Sequence, residues 1–476
     1  MTYTINEYFR VFGLDPDLAG KILETALSKG GDYADIFCEH TVSNELSMRD
    51  GDVNAANSSI DFGIGIRVVS GDRTGYAFSE IPDPESLMRA ARSAAGIASC
   101  GSPAVHCVSG HSFMSGTDRY PVLSPWSAHS VGEKKNYLFS LRDRIMRRSD
   151  KIVNITGRIS DSESRIMFFN SMGESYTDFR PMAAMAAVVV MKDGSRMENF
   201  YSSRSFRMGF EFLTEEMVEE LAANVTDGCL RLFEAGRPPC GEMPVVMGSG
   251  SSGILLHEAI GHAFEADFNR KNVSIFSDRM GQRICIPEIS IVDDGTLTAN
   301  RGSVNFDDEG VPGQKTYMVK DGVLNSYLHD RISARHYGVR PTGNGRRESF
   351  RFMPIPRMRA TYMENGKASE SDLIASVRKG VYVDNFSNGQ VQIGAGDFTF
   401  YVKSGYMIED GRLTRPIKDV NIIGNGPQAL ADITAVADNL YVDNSTWTCG
   451  KGQYCPVSCG MPSVLVAKLN VGGVNE

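Results

Sequence analysis

Two histidines and a glutamate in the middle of the chain have the residue types of a hydrolytic metal site. They lie in the stretch LLHEAIGHAFEAD, residues 255–267, where His257 and Glu258 are followed by His262. Neutral imidazoles are common ligands of Zn²⁺, and a carboxylate beside the ion can accept a proton from an attacking water. The stretch therefore indicates zinc-assisted hydrolysis of an amide, with Glu258 as the general base.

The spacing of the two histidines departs from the zinc-protease pattern H-E-x-x-H by one residue. Side chains five residues apart on a regular α-helix point about 140° apart, so both imidazoles could hardly reach one ion. A single π-type turn accommodates the extra residue, and such turns occur mostly at functional sites. We expect this distortion, or a kink, at Gly261 directly before His262. On spacing alone, a solvated or hydrogen-bonded helix face is the alternative interpretation.

A catalytic zinc site also needs a third protein ligand, which these residues leave open. The candidates are two nearby acids, two later histidines and three cysteines of the tail CGKGQYCPVSCG: Glu265, Asp267, His329, His336, Cys449, Cys455 and Cys459. For the two later histidines we expect ordinary structural roles.

A glycine pattern before the same helix suggests a different function. Gly248, Gly250 and Gly253 form a literal G-x-G-x-x-G after a predicted strand, and Asp267 follows at the distance of a dinucleotide site. In that fold, however, the acidic residue ends a second buried strand, whereas Asp267 lies in a polar, helical stretch. We expect the glycines to let the backbone approach a neighbouring strand or a substrate. A nucleotide-binding oxidoreductase is the weaker hypothesis.

Composition narrows the functional class. The 476 residues carry 58 acidic and 49 basic side chains, a formal net charge of −9, which argues against a nucleic-acid binder. There is no run of 18 apolar residues and no basic start followed by an apolar stretch, so we expect neither a membrane span nor a signal peptide. Nine scattered cysteines then suggest reduced thiols in the cytoplasm.

The chain is long enough for two domains, and GRPPCGEMP indicates a linker between them. We predict an α+β fold: a mixed α/β N-terminal domain over residues 1–238, and an antiparallel, β-rich, sheet- or barrel-like domain over 239–476 that carries the catalytic helix. The first half shows helical periodicity at 6–29, 132–148 and 214–235. Hairpins are expected at Gly71-Asp72 and Asp193-Gly194.

The second half contains many short strand-like segments. Three Asp-Gly or Asn-Gly pairs lie between them, at 321–322, 388–389 and 410–411. Such pairs favour the type I′ turns that match the twist of paired strands. We therefore predict three hairpins in an antiparallel sheet or barrel.

Several longer motifs resemble one known family. They are GSGSSGILLHEAIGHAFEADFNR, NFDDEGVPGQ, PTGNGRRESFRFMPIPRM, NGQVQIGAGDF and the tail CGK…GQ…PVSCGMP, and FGIGIRVV and RTGYAF fit as well. Together they resemble the TldD branch of the TldD/PmbA family of metallopeptidases, also described as modulators of DNA gyrase. The resemblance covers most of the chain.

The resemblance implies a zinc-dependent peptidase with one Zn²⁺ per active subunit. Its ligands would be His257, His262 and Cys449, with Glu258 as the base. Because the tail CGKGQ is one residue shorter than the family's C-G-K-x-G-Q, Cys455 and Cys459 stay alternatives. The implied substrates are peptides or unfolded polypeptide segments. The implied partner is a second copy or a related PmbA-like subunit. The alternative is a non-catalytic, metal-stabilised peptide-binding subunit of a proteolytic complex.

Two further charged motifs allow less specific hypotheses. Asp307, Asp308 and Glu309 suggest a second cation site, but adjacent acids on a strand face alternately, so we expect a solvated turn ended by glycine. Arg346 and Arg347 are candidates to hold a carboxylate, either of a substrate or of the protein itself.

Overall fold

The computed structural model describes residues 3–98, 110–392 and 394–472, and the first half of this chain forms one sheet of long strands. In the described residues the strand order is β3-β2-β1-β5-β6-β7, all antiparallel, with the short β4 parallel to β6. The strands are β1 (Tyr33–Arg49), β2 (Asp52–Ser70), β3 (Arg73–Ser79), β4 (Ser112–Phe113), β5 (Ile152–Asn170), β6 (Glu174–Asp193) and β7 (Arg196–Phe206).

Helices cover one face of this sheet. They are α1 (Ile5–Phe12), α2 (Pro16–Leu27), α3 (Pro84–Ala98), α4 (Val131–Arg148) and α5 (Glu215–Glu234), with short 3₁₀ turns at Trp126–Ala128 and Phe210–Phe212. Alternation along β1 points Ile36 and Cys38 toward the helices and Phe37 to the opposite face. Among the described residues, no helix is both long and apolar enough to cross a membrane.

The single helix predicted for residues 6–29 is two helices. Gly13 ends α1 in the left-handed conformation, with φ of +57°. Asp15 then caps α2 by accepting a hydrogen bond from the amide of Leu18, and Pro16 occupies the first helical position. These local stop and start signals prevail over the continuous apolar periodicity.

The second half contains many shorter strands. They are β8 (Gly241–Met247), β9 (Ile291–Asp294), β10 (Lys315–Lys320), β11 (Val323–Leu324), β12 (Gly345–Arg346), β13 (Ile355–Pro356), β14 (Ala360–Met363), β15 (Lys379–Val391), β16 (Asp397–Glu409), β17 (Arg412–Ile417), β18 (Val420–Asn425), β19 (Ile433–Val436), β20 (Tyr441–Asp443), β21 (Thr448–Gly450), β22 (Tyr454–Pro456), β23 (Ser458–Met461) and β24 (Val464–Gly472). The helices here are α6 (Gly253–Leu255), a π-helical turn (Leu256–Gly261), a 3₁₀ turn (His262–Phe264), α7 (Ala266–Asn269), α8 (Arg331–Tyr337), α9 (Glu370–Ala375) and α10 (Gly426–Ala431).

A closed barrel is the main unit of this half. Strands β8, β24, β18, β16 and β15 pair in that order, and β15 returns to β8 to close the ring. A second sheet has the order β11-β10-β9-β14-β23-β20. Most pairs are antiparallel, as predicted, but β8–β15 and β14–β23 are parallel. The π-helical turn contacts β15 and β16 of the barrel and β14 and β23 of the second sheet, so it lies between the two sheets.

Two of the three predicted hairpins in this half are confirmed. Asp321-Gly322 connects β10 to β11 and Asp410-Gly411 connects β16 to β17, with positive φ at all four residues. The third prediction is wrong: Asn388 and Gly389 lie inside β15, opposite Tyr401 and Phe400. A Cβ on Gly389 would lie 2.0 Å from the Phe400 ring, so this glycine makes room for an aromatic side chain.

Buried charges join the two halves of the chain. Asp307, Asp308 and Glu309 were expected in a solvated turn, but all three side chains are buried, so that expectation is wrong. Arg67 of β2 binds Asp35 and also Glu309, whose carboxylate oxygen lies 2.7 Å away. Asp308 and Glu309 are paired with different arginines, Arg180 and Arg67. The domain boundary predicted at residue 238 lies between α5 and β8 and stays a prediction.

Arg67→Met tests this connection. The change leaves Asp35 and Glu309 buried without their cation, which typically costs about 3–5 kcal/mol. We expect clearly lower midpoints of urea and thermal unfolding, measured by circular dichroism. The control is Arg49→Met, because Arg49 is exposed and its carboxylate neighbour is Asp50, 3.9 Å away. Equal midpoints for both variants would contradict the assignment.

Candidate metal centre

The helix that carries the histidines contains the π-type turn that their spacing predicts. It spans Leu256–Gly261, and the backbone N–H of His262 donates to the carbonyl of His257. This i→i+5 hydrogen bond takes up the extra residue of H-E-x-x-x-H. As a result the rings of His257 and His262 lie on the same side, with centroids 5.1 Å apart and planes at 78°.

Gly261 lies in this turn, but the turn does not need glycine for its backbone conformation. Its φ of −59° and ψ of −47° are those of an ordinary helix. A Cβ at this position would lie 2.1 Å from Sδ of the buried Met358 and 3.1 Å from the carbonyl oxygen of Leu256. Glycine is therefore required because the turn packs closely against its neighbours.

The preceding glycine pattern is explained by packing in the same way. A Cβ on Gly253 would lie 2.3 Å from the backbone nitrogen of Gly460, so the start of the helix touches the backbone of β23. Gly250 has φ of +82° and lies against the Tyr441 ring. The predicted close backbone approach is thus present, and strand β8, which precedes these glycines, belongs to the barrel.

Cys449 is the cysteine that lies next to the histidines. It sits in the hairpin of β21 and β22, and its Sγ is 3.3 Å from Nε2 of His262. One donor atom each from His257, His262 and Cys449 lie within 4.8 Å of one another, and all three residues are buried. Cys455 instead faces Arg357, with its sulfur 3.6 Å from Nη1. Cys459 lies on β23, outside the group.

Glu265 orients one of the histidines. Its carboxylate is completely buried and lies 2.9 Å from Nδ1 of His262, which leaves Nε2 directed at Cys449. Lys451 lies 3.1 Å from the same carboxylate and 2.6 Å from Asp267. A carboxylate on the far nitrogen is the usual arrangement around metal-binding histidines. The two nearby acids that were open as third ligands therefore lie behind the site.

His257 has no such partner. Both of its ring nitrogens are buried and neither makes a hydrogen bond. Leaving buried polar atoms unsatisfied is costly, and each such atom in a folded protein needs an explanation. A cation bound between His257, His262 and Cys449 would satisfy one of the two nitrogens. The donor set of two imidazoles and one thiolate is one that Zn²⁺ accepts.

The charges around Cys449 favour its thiolate. Burial alone would raise the pKa of Cys449, but His257 and His262 lower it to about 4. For His262 the effects have the opposite sign: burial alone would lower its pKa, but Glu265 and Cys449 raise it well above its usual value. Burial also acts to raise the pKa of Glu265, which Lys451 and His262 lower to about 2. These charges favour the thiolate, the form in which cysteine binds metals.

Glu258 lies at the accessible edge of the group. Its Oε2 is 4.0 Å from Nε2 of His262, and its side chain is 24% exposed, compared with 5% for His262. Of these side chains, Glu258 is thus the one that water can reach. Its position suits a group that exchanges protons with water beside a bound ion.

The remaining candidates lie outside the group. His329 is buried beside Tyr337, and burial lowers its pKa to about 4. His336 is exposed. Arg347 binds groups of the protein itself. Its backbone N–H donates to the Asp308 carboxylate, Nη2 donates to the Asp308 carbonyl oxygen, and Oδ1 of Asp35 lies 3.8 Å from Nη2. These placements agree with structural roles.

One supporting residue was not found from the sequence. The buried Arg357 donates to the carbonyl oxygens of Cys449 and Gln453, at 2.7 and 3.0 Å, and so holds the hairpin that carries Cys449. Arg357 belongs to the motif PIPRM, but this motif does not predict a contact with Cys449, which lies 92 residues further along the chain.

Comparison with known proteins identifies the family. The chain matches three family models: PmbA/TldA metallopeptidase domain 1 over residues 34–98, the central domain over 124–230 and the C-terminal domain over 240–473. The chain is 36% identical over 451 residues to the metalloprotease TldD homolog of Haemophilus influenzae, covering 93% of each protein. It is 32% identical to a metalloprotease of Methanothermobacter thermautotrophicus, covering 97% of this chain and 99% of that one.

Solved structures share the fold. A putative modulator of DNA gyrase from Bacteroides thetaiotaomicron superimposes with a TM-score of 0.75 at 19% identity, covering 96% of this chain and 98% of that one. TldE from Thermococcus kodakarensis gives 0.74 at 20% identity, covering 96% and 100%. The chain belongs to the PmbA/TldA metallopeptidase family. Within it, the curated relatives place the chain in the TldD branch, which confirms the resemblance of the motifs.

Gly261→Ala tests the packing of the π-helical turn. The added methyl group would collide with Met358 and the Leu256 carbonyl, and overpacking of this kind typically costs about 1–3 kcal/mol. We expect a lower melting temperature and less zinc retained after loading and dialysis. Gly20→Ala in α2 is the control, because nothing lies within 4 Å of the added atom. That change should stabilise the helix by about 0.5–1 kcal/mol. Unchanged melting and zinc retention in Gly261→Ala would refute the packing role.

Proposed function

We propose that this chain is a zinc-dependent peptidase that cleaves peptides or unfolded polypeptide segments. The observation that carries the proposal is the meeting of His257 and His262 with Cys449, which lies 187 residues beyond His262 in the sequence. Glu258 lies at the accessible edge of these three buried donors. Relatives over almost the whole chain are named metalloproteases, which supports the same class of activity.

In the proposed site, three protein ligands would hold one Zn²⁺: His257, His262 and Cys449. A bound zinc ion would polarise the scissile carbonyl and stabilise the negative charge that develops on its oxygen. Glu265 fixes the ring of His262 through Nδ1, so Nε2 is the atom offered to the ion. Zinc binding would need Nε2 of His262 free of its proton and Cys449 as the thiolate, because metal ligands bind in their deprotonated forms.

Glu258 is proposed as the general base and then the general acid. Its carboxylate takes a proton from the water that attacks the amide carbon. The same group then gives that proton to the leaving amine, so the carboxylate is regenerated. Its partial exposure allows water to reach it, while burial of the three ligands keeps them from exchanging with solvent.

The substrate would lie on the face of the N-terminal sheet that the helices leave free. A cavity of about 690 Å³ there is lined by residues of β1, β2, β5 and β6 and by Thr446 and Thr448, next to Cys449. Because the strands that line this cavity are already paired on both sides within the sheet, the peptide would be held by polar side chains of this face, such as Ser43 and Ser160. We further propose a cytoplasmic location and a dimer, formed either with a second copy or with a related PmbA-like subunit.

Zinc content and peptide cleavage test the proposal together. The wild type, Cys449→Ser, Glu258→Gln and the control Cys459→Ser are loaded with zinc, dialysed and analysed by elemental mass spectrometry. We expect about one zinc per chain in all except Cys449→Ser, which loses a ligand. Cleavage of an unstructured fluorogenic peptide should fall about 10²- to 10⁴-fold in Glu258→Gln, which keeps its zinc, because the proton acceptor is lost.

Cys459→Ser is a matched control because Cys459 is a buried cysteine of the same tail that lies outside the donor group. A wild type that stays metal-free after incubation with zinc would overturn the proposal. A zinc-loaded wild type that binds peptides without cleaving them would instead identify a non-catalytic peptide-binding subunit.

A further inference from the structure

Three buried arginines near the Cys449 hairpin have no carboxylate partner. Arg207, Arg301 and Arg346 are 7%, 8% and 4% exposed. Among the described residues, no acidic side chain makes a hydrogen bond or ion pair with any of them. Arg357 and Arg359 are also buried without an ion pair, and their guanidinium groups donate to carbonyl oxygens. Arg67, in contrast, is paired with Asp35 and Glu309.

Arg301 contacts neutral acceptors. Its Nε donates to the carbonyl oxygen of Trp447 at 3.0 Å, Nη1 to Oγ of Ser205 at 2.5 Å, and Nη2 to Oγ1 of Thr448 at a longer 3.4 Å. These bonds orient the guanidinium group but leave its charge uncompensated. A carboxylate is the natural complement of such a planar, two-pronged donor.

The two neighbouring arginines add to this charge. Arg346 donates to the carbonyl oxygens of Met358 and Pro456. Arg207 has no hydrogen-bond partner for its Nε and lies over the Tyr120 ring, 5.3 Å from the centroid. An acid in this region, Asp178, already accepts hydrogen bonds from Tyr120 and Arg180.

Burial and the neighbouring arginines both make the charge of Arg301 less favourable. Burial, followed by repulsion from Arg207 and Arg346, lowers the pKa of Arg301 to about 10. Burying a charge without a counter-charge is unfavourable, and a counter-charge bound beside it offsets that cost. The fold maintains this excess positive charge next to a cavity, so a negatively charged ligand is the expected complement.

Arg301 borders the cavity of about 690 Å³ described above, together with Thr446 and Thr448. On the sheet side the lining includes the uncharged Ser43 and Ser160 and two acids that already have cations: Glu45 with Arg158 at 3.4 Å and Asp161 with Lys134 at 2.6 Å. Thr448, whose Oγ1 lies 3.4 Å from Nη2 of Arg301, directly precedes Cys449 on β21, so Arg301 contacts the strand that carries the proposed zinc ligand.

We propose that Arg301, with Arg207 and Arg346 behind it, binds the carboxylate of a peptide lying in this cavity. This inference rests on the proposed peptidase function and deepens it, because it makes Arg301 a specificity-determining residue. The carboxylate belongs either to the C-terminus of the peptide or to an aspartate or glutamate side chain. Both sources offer the same planar group, and they are distinguished by the choice of peptide.

The test measures peptide binding to the full-length, zinc-loaded Glu258→Gln protein, which is expected not to cleave. Isothermal titration compares one unstructured peptide sequence in three forms. The reference is amidated and contains no acid, the second has a free C-terminus, and the third is amidated and carries glutamate at successive positions. We expect a carboxylate-bearing form to bind about ten- to one-hundred-fold more tightly than the reference, the range of a charge-assisted hydrogen bond.

Adding Arg301→Gln should abolish this preference, whereas Arg301→Lys, which keeps the charge but loses the fork, should weaken it. Arg204→Gln is the matched control: Arg204 lies one residue from Ser205 on β7 and is paired with Glu220. It should keep the full preference. Arg301→Gln could lose its zinc if Arg301 only supports the hairpin, and Arg301→Lys then distinguishes the two roles. With a purely structural role, Arg301→Lys would keep the full preference for carboxylate-bearing peptides. With a carboxylate-binding role, the preference would be weaker.

Equal binding of all three peptide forms would overturn the carboxylate site, as would a preference that survives Arg301→Gln. Cleavage by the wild type in parallel assays separates this outcome from failure of the peptidase proposal. A carboxylate preference in a protein that never cleaves would overturn the peptidase and leave the carboxylate site standing. Failure to bind any peptide would overturn both.

Discussion

The geometry of the proposed centre depends on one backbone hydrogen bond, from the amide of His262 to the carbonyl of His257. Without this i→i+5 bond, a regular helix would turn the two imidazoles about 140° away from each other. The π-helical turn is stabilised by its surroundings, since it lies between the barrel and the second sheet and contacts both. Gly261 permits that contact because no side chain separates it from Met358. A π-helical turn, which is rare and occurs mostly at functional sites, is thus held in place by tertiary packing.

Charge is handled in two different ways in this fold. Where the halves of the chain meet, buried charges are matched: Arg67 lies between Asp35 and Glu309. At the metal centre, Glu265 and Lys451 form a chain of charges behind His262 that leaves Nε2 and the Cys449 thiolate facing each other. Beside the same hairpin, in contrast, Arg301 has only neutral partners. The matched charges stabilise one arrangement of the two halves of the chain. The other groups are the ones that we propose bind a ligand: the His262–Cys449 pair a zinc ion, and Arg301 a carboxylate.

The sequence predicts the local features well and the long-range contacts poorly. The spacing of His257 and His262 requires a π-type turn, and the turn is present. The same spacing cannot identify the third donor, because Cys449 reaches the site through a hairpin whose position depends on the whole barrel. Cys449 is singled out as the third ligand only by the resemblance to the family, and its role as a ligand stays a proposal. The hairpin predicted at Asn388-Gly389 is wrong because the sequence alone does not distinguish a glycine of a turn from a glycine that makes room for an aromatic ring on the neighbouring strand. The sequence predicts a solvated turn for Asp308 and Glu309 because it does not show Arg180 and Arg67, the cations that the fold places beside them.

Zinc K-edge X-ray absorption spectroscopy of the loaded wild-type protein is the most direct test of the central claim, that two imidazoles and the Cys449 thiolate hold one ion. We predict one Zn–S distance of about 2.3 Å and two Zn–N distances of about 2.0–2.1 Å from imidazoles, with a lighter atom in the remaining position. The sulfur contribution should disappear in Cys449→Ser loaded at high zinc concentration. A wild-type spectrum with no sulfur, with two or more sulfurs, or with a sulfur contribution that persists in Cys449→Ser would contradict the proposed centre.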